Sequence, residues 1–442
     1  MKKSKKFVLA GLVLLAAITM VLLPLAGCKT EVDTSSPQQE QTKDTNDNAG
    51  TGGGDTSDNP SAGNDGENGT VPETPATKLV SISVTTPPTR TVYSVGQSFD
   101  PTGMKVTATY DDGTTGTVTG TITTDTSTLT QSAGVQPVTV SYTEGETTKT
   151  NTFSVTVFPA EVEVLTGYTS PNNTDGSWIY VEFGEWPQTE AVNFKPITAS
   201  QSHGIFDGNY YVEGNDKYVE KDGKYYKVEP IVWRVLTTSY KAPESGTVGE
   251  ILLLAEKILT GGIPYYDVWN TNRTVDGATI YPNNYEHSAV RAWLNGLKYQ
   301  YKMPDGFEQI EREDYFGKGF LQTAFTESAQ KLIELTSVDN SAASTTDKIF
   351  LLSQQEATNS KYGFGADSTR IRDTTDYANA TEAYQGDSSA GYGGWWWLRS
   401  PNFDDSKGAH IISIDGTAGT GNHSSVNSPS GGVVPALSIS LQ

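Results

Sequence analysis

The stretch Pro230-Ile231-Val232-Trp233-Arg234-Val235-Leu236 decides how the larger part of this 442-residue chain is read. Ile231 to Leu236 is a short apolar run of the kind that forms a strand buried inside a sheet, and Ile251 to Leu254 is another. Downstream, Trp395, Trp396 and Trp397 alternate across a further strand. With Leu398 beside them at least one face must be buried, so core packing is a stronger reading than a sugar-stacking platform. Arg399, next to that core, is expected to pair with a carboxylate or a carbonyl. Helices are few. Ser288 is placed to cap one carrying Val290, Trp293, Leu294 and Leu297 on one face, and Thr326 to cap another carrying Ala329, Leu332, Ile333 and Leu335. Ser353 and Glu356 form a capping box after the strand Ile349 to Leu352. Strands dominate without a regular strand-helix alternation, so residues 164–442 read as an α+β domain with Trp233, Trp293, Trp396 and Leu398 in its core. The Tyr-rich segment around Tyr210-Tyr211, Tyr218 and Tyr225-Tyr226, set among glycines, predicts an inserted hairpin packed over the sheet.

Upstream, Val80, Ile82 and Val84 alternate with Ser81 and Ser83, the period of a half-buried strand. Similar alternations run from Met104 to Tyr110, through Val138, Val140 and Tyr142, and through Phe153, Val155 and Val157. Short strands with an Asp111-Asp112-Gly113 turn over residues 79–159 predict a small all-β sandwich. The opening at Leu79, the phrase from Tyr93 to Met104 and the Tyr110-Asp111-Asp112-Gly113 turn resemble a group 3 bacterial immunoglobulin-like domain. Such a resemblance implies a spacer on a surface protein.

Before this sandwich, residues 31–78 are almost all Thr, Ser, Asn, Asp, Gly, Gln and Pro. Such a segment buries too little apolar area to offset its ordering entropy, and it reads as a tether spanning on the order of 40 Å. Lys2, Lys3, Lys5 and Lys6 precede an apolar run from Phe7 to Leu23, the pattern of a secretion signal. Leu25-Ala26-Gly27-Cys28 resembles the lipobox of bacterial lipoproteins. The resemblance implies cleavage after residue 27, lipid on the Cys28 sulfur, and a tethered segment 28–78. An uncleaved membrane helix is the alternative, since the run is only slightly short of the ~20 residues needed to span. Cys28 is the only cysteine, so no internal disulfide is available.

Acidic residues number 52 against 31 basic, a net charge of −21, and loss of the four signal lysines lowers it to −25. That balance repels phosphate backbones and argues against a nucleic-acid partner. His203, His287, His410 and His423 are scattered without a metal-ligand spacing, no Gly-x-Ser-x-Gly elbow occurs, and no phosphate-binding glycine loop occurs. The nearest approach to a calcium-lectin signature is Trp269-Asn270-Thr271.

Several phrases, taken in order, resemble one bacterial family of unknown function found in lipoproteins and other surface proteins. They are Phe183-Gly184-Glu185-Trp186-Pro187-Gln188-Thr189, the Pro230 to Leu236 stretch, Ser288 through Arg291-Ala292-Trp293-Leu294-Asn295, Asp347 to Ser353, Trp396 to Pro401, and Val434-Pro435-Ala436-Leu437. Val434 departs from the pattern, standing where that family often has arginine. The family is similar in plan to the C-type-lectin-like fold, in the branch shared with formylglycine-generating enzymes and with the variable proteins of diversity-generating retroelements. The resemblance implies two early helices, a run of short strands, and a Trp-rich strand followed by a polar loop and a closing strand. The active-site cysteines of formylglycine-generating enzymes have no counterpart here, because Cys28 is the only cysteine.

Loops on a rigid scaffold concentrate binding residues. The candidate ligand-binding set is therefore Asn402, Phe403, Asp404, Asp405, His410, Asp415, Asn422, His423, Ser424, Ser425 and Asn427. Its Asn, Asp, Ser and His bias is also what adenine-directed diversification of asparagine codons leaves. The expected molecule is a lipid-anchored, surface-exposed protein of the bacterial envelope, without cofactor, metal or catalysis, that binds a protein or glycan. An envelope enzyme acting on glycans or peptides, and a purely structural envelope component, are the alternatives.

Overall fold

Residues 77–171, 178–197, 200–241, 250–268, 270–299, 315–340 and 344–441 are described by a computed structural model. The signal segment, Cys28 and the tether up to residue 76 lie outside them, as does Trp269.

Alternating Val, Ile and Thr residues build the first seven strands: β1 (Leu79–Thr86), β2 (Val92–Ser94), β3 (Lys105–Tyr110), β4 (Thr115–Thr117), β5 (Ile122–Asp125), β6 (Gly134–Glu144) and β7 (Thr147–Phe158). They form two sheets, β1-β3-β4 and β2-β7-β6-β5, with β2 parallel to β7 and the other pairs antiparallel. Rows of side chains from the longer strands fill the interior, among them Ile82, Val106 and Val140, with Tyr93, Val138 and Val157. Buried Tyr93 donates its hydroxyl to the Arg90 carbonyl (2.9 Å) and accepts from the Asp100 amide (3.2 Å), which fixes the loop after β2. Val80, expected inside, is exposed. The β1–β3 register slips between Leu79 and Ser81, so Leu79 takes the buried place.

The seam to the next domain is hydrogen-bonded. The Ser94 hydroxyl donates to the Val162 carbonyl (2.6 Å) and accepts from the Val164 amide (2.7 Å), and Gln97 Nε2 donates to the Val164 carbonyl (3.1 Å). Val92 and Phe158 pack in the same apolar cluster as Val162 and Val164.

The second domain is dominated by strand β13 (Lys224–Tyr240), far longer than the apolar run that predicted it. Ahead of it lie β8 (Glu163–Val164), β9 (Tyr180–Glu190), β10 (Gln201–His203), β11 (Phe206–Glu213) and β12 (Asp216–Lys221), and after it β14 (Glu250–Ala255). The Tyr-rich segment forms an antiparallel meander, β10-β11-β12, that joins the sheet through β13. Strand β9 lines the other edge of β13, pairing Val181 with Trp233 and Glu185 with Pro230. Between those pairs the register shifts, and Gly184 takes φ +70°. A Cβ there would stand 2.5 Å from the Phe325 ring, so only glycine lets the bulge close on that ring.

The remaining elements are β15 (Arg273–Val275), β16 (Ala278–Ile280), α1 (Ala289–Asn295), α2 (Phe320–Ala324), α3 (Glu327–Leu332), β17 (Thr336–Val338), β18 (Thr345–Asp347), β19 (Ile349–Phe350), α4 (Gln354–Ala357), α5 (Asp376–Ala380), β20 (Trp396–Pro401), β21 (Gly408–Ile412), β22 (His423–Ser425) and β23 (Ala436–Ile439). The last strand, β23, inserts between β14 and β19 and completes the large sheet. Strands β20, β21 and β22 form a separate antiparallel sheet. Ser288, Thr326 and Ser353 cap α1, α3 and α4 as the sequence predicts, and the Ser353–Glu356 capping box is present. Two expectations change. Leu335 is exposed because α3 stops at Leu332 and Ile333 turns extended, which breaks the helical period. Among the described residues of this domain no helix precedes Ala289, so the two early helices are not seen. The described residues are β-rich overall, with few short helices.

Candidate functional site

Charged and polar residues of the sequence phrases are committed to one another. Arg291 Nε donates to Asp347 Oδ1 (2.8 Å), and Asn295 donates to the Ile349 carbonyl (2.7 Å) while accepting from the amides of Lys348 and Ile349. Arg399 Nη1 donates to the Leu351 carbonyl (2.6 Å) and to Glu356, and its Nε to the Asp339 carbonyl (2.9 Å). Glu356 also accepts from the Ser353 amide and hydroxyl and from the Tyr240 hydroxyl. Burial alone would raise the Glu356 carboxyl, but the Arg399 charge and these donors hold it below the usual carboxylate range. Burial and the same carboxylate push the Tyr240 phenol far up. A saturated carboxylate and a phenol that stays protonated frame one wall of a cleft of about 400 Å³ beside Gln354, Ser400 and Phe403.

The Trp-rich strand is buried on both faces. Trp396, Trp397 and Leu398 are inaccessible, as are Trp233 and Trp293, while Trp395 is half-buried. Trp396 Nε1 donates to the Arg370 carbonyl (3.2 Å), and the Tyr265 hydroxyl donates to the Leu398 carbonyl. This strand leads directly into the β20–β21 turn.

Buried Asn283, which sequence reasoning passed over, holds that turn from beneath. Its Nδ2 donates to the carbonyls of Asn402 (2.9 Å), Gly408 (3.0 Å) and Asp405 (3.3 Å), and its own amide donates to the Ser406 carbonyl (3.1 Å). Phe403 projects from the turn with 77% of its surface exposed. Asp404 and Asp405 are exposed beside it, and Val426 N–H bonds the Lys407 carbonyl, bringing Ser425 and Asn427 alongside.

The predicted binding residues therefore separate into groups. Asn402 is buried and accepts the Asp404 amide, and His410 is buried with Nδ1 3.2 Å from the Asn422 carbonyl; both build the scaffold and do not reach solvent. Asp415 lies at the opposite end of β21, where one oxygen accepts from the Thr417 amide and hydroxyl, with Asn422 bonded to the same hydroxyl. Five residues of strand at ~3.3 Å each separate that end from the Phe403 turn. His423 is exposed and Ser424 half-buried on the edge strand β22. The set is thus two ends of one hairpin, and Phe403, Asp404, Asp405, Ser425 and Asn427 are the members gathered at one of them.

His203 lies far from this hairpin, its Nε2 3.2 Å from the Thr323 carbonyl, and His287 is 3.9 Å from Glu286. Among the described residues no three His, Cys, Asp or Glu side chains form a metal-holding group.

Replacing Asn283 with alanine is expected to take the side-chain donor from the Asn402 carbonyl, leaving those of Asp405 and Gly408 with only the Gly408 and Asn402 amides, and to cost about 1–3 kcal/mol. Hydrogen exchange at the amides of Asn402 and Gly408, both bonded within the turn, should accelerate while that of Trp397 does not. Equal acceleration at all three would disprove local anchoring.

Stability is expected to fall with acid. Burial holds the His410 imidazole below its ordinary 6.5, so its contribution is present above that value and lost below it. Glu256 and Glu356 stay below their ordinary 4.5: burial opposes this, but arginine charges prevail, so their contributions go last as pH drops further. The denaturation midpoint should be level from pH 8 to 7 and decline from 6.5 to 3; a midpoint that rises in that interval would reverse the sign.

Residues 86–157 match the family described as bacterial Ig-like domain (group 3). Residues 248–441 match the family described as domain of unknown function (DUF6273). The chain thus carries an Ig-like domain of group 3 followed by a DUF6273 domain. No curated protein matches it. The second match begins after β13, yet β13 pairs with β14 from Trp233↔Ala255 to Tyr240↔Glu250, so the sheet continues across the start of the match.

Proposed function

We propose that this protein is a lipid-anchored display protein of the bacterial cell surface, held through Cys28 and the tether, whose terminal domain binds a protein or glycan with the exposed hairpin end around Phe403. The observation that carries this reading is the Asn283-anchored turn. A large aromatic ring held in solvent by a rigid frame binds with little ordering cost, and aromatic side chains are common anchors of recognition surfaces. The terminal domain acts as a C-type-lectin-like scaffold, in keeping with a Trp-rich strand, a polar segment and a closing strand in the order β20, 402–432, β23. It works without catalysis or cofactor, in keeping with Glu356 being saturated by donors. The Ig-like domain serves as the spacer.

Two measurements test the proposal together. Radiolabelled palmitate fed to the producing cells should appear in the wild-type protein and not in Cys28→Ser. The full chain, screened on arrays of glycans and host surface proteins, should bind at least one ligand, and Phe403→Ala should weaken it roughly 10- to 100-fold. A ligand bound equally by Phe403→Ala, or a glycan or peptide turned over by the wild type, would overturn the reading.

A further inference from the structure

Behind the β9–β13 pairing lies a buried ionic cluster that the hairpin surface does not use. Arg234 Nε and Nη2 donate to the two oxygens of Glu256 (2.9 and 2.6 Å), and the Ser170 hydroxyl donates to the same carboxylate (2.5 Å). Arg234 Nη1 donates to the Thr369 carbonyl (2.8 Å). Arg372 Nη1 reaches the same oxygen (3.2 Å) and the Ile371 carbonyl (2.8 Å), so the two guanidinium groups converge on one carbonyl. Arg234, Arg372 and Ser170 are essentially inaccessible and Glu256 nearly so. Among the described residues, two cations therefore share a single carboxylate.

Arg372 Nε and Nη2 have no hydrogen-bond partner among the described residues, and the buried Tyr180 hydroxyl, which neighbours Ser170, feels the charge of both arginines. Arginine keeps its proton in proteins. Burial, with Arg234 nearby, nevertheless pushes Arg372 down to about 9, the direction expected of a cation short of negative charge. Water would satisfy the orphaned donors but leave the surplus positive charge in a dry interior, which is costly.

We infer that Arg372 offers a buried site for one small monovalent inorganic anion of the halide class, which completes the Arg234–Glu256–Arg372 cluster. Its free Nε and Nη2 are both donors, the kind of group that a spherical anion accepts from. Trp396 Nε1 bonds the Arg370 carbonyl two residues away, so the ion stabilises the segment on which the Trp-rich strand rests.

The test uses the full chain in detergent at constant ionic strength. Melting temperature should rise and saturate as sodium gluconate is replaced by chloride, bromide should substitute, and Arg372→Met should melt independently of halide. In crystals grown with bromide, an anomalous peak should lie within hydrogen-bonding reach of Arg372 Nε or Nη2. Should Arg372→Met fail to fold, the wild-type titration and the bromide peak decide alone. A wild-type melting temperature indifferent to halide, or bromide crystals with no peak beside Arg372, would overturn the inference.

Discussion

Glu356→Ala is expected to destabilise the protein by about 3–5 kcal/mol, because it leaves the Arg399 guanidinium buried without a counter-charge. The side chains are 4% exposed at Arg399 and 15% at Glu356, so solvent does little to screen the pair. The same change removes the acceptor for Tyr240 and half of the capping box of α4. Urea unfolding of the wild type, Glu356→Ala, Arg399→Met and the double variant would show it. The double variant should be less destabilised than the sum of the singles, since it removes both charges together. Additive losses would mean the pair is not coupled, and a loss under about 1 kcal/mol would place Glu356 in solvent.

Trp396→Ala should cost about 3–5 kcal/mol as well, for a different reason: a fully buried indole leaves a cavity that its neighbours cannot fill. Here the neighbours are rigid. Gly432 bridges to Trp396, and Gly431 is packed so closely against Trp397 that a Cβ there would lie 2.1 Å from the indole nitrogen. Trp395→Ala, on the half-buried ring of the same strand, should cost clearly less. Equal losses at positions 395 and 396 would contradict the placement of the core.

Residues whose partners are near in sequence, or whose role is set by period, were legible from the chain alone. Ser288, Thr326 and the Ser353–Glu356 box speak to their own first turn, and Trp233 and Trp396 sit in apolar runs whose burial hardly depends on context. Arg399 was expected to meet a carboxylate or carbonyl, and it meets both. Hidden from the sequence were pairings made across the fold. Glu256, Arg234 and Arg372 stand far apart in sequence, and only the fold brings Arg234 to the Glu256 carboxylate and both arginines to the Thr369 carbonyl. Asn283 stands in a polar segment resembling any turn, and its three acceptors lie beyond residue 400. For the same reason Asn402 and His410 were grouped with exposed neighbours: residue type marks a polar loop, but only the β20–β21 hairpin decides which polar side chains face inward. Leu335 failed because a helical period was continued past the point where Ile333 leaves the helix.

One measurement bears most directly on the outward display of the Phe403 turn. Cys28 is the only cysteine, and a lipid on it would leave the mature chain without a free thiol. Ser425→Cys, at an exposed position beside that turn, therefore offers a unique label. A membrane-impermeant maleimide should react with this variant on intact cells as fully as after lysis, and with the wild type in neither case. Reaction only after lysis would contradict the account.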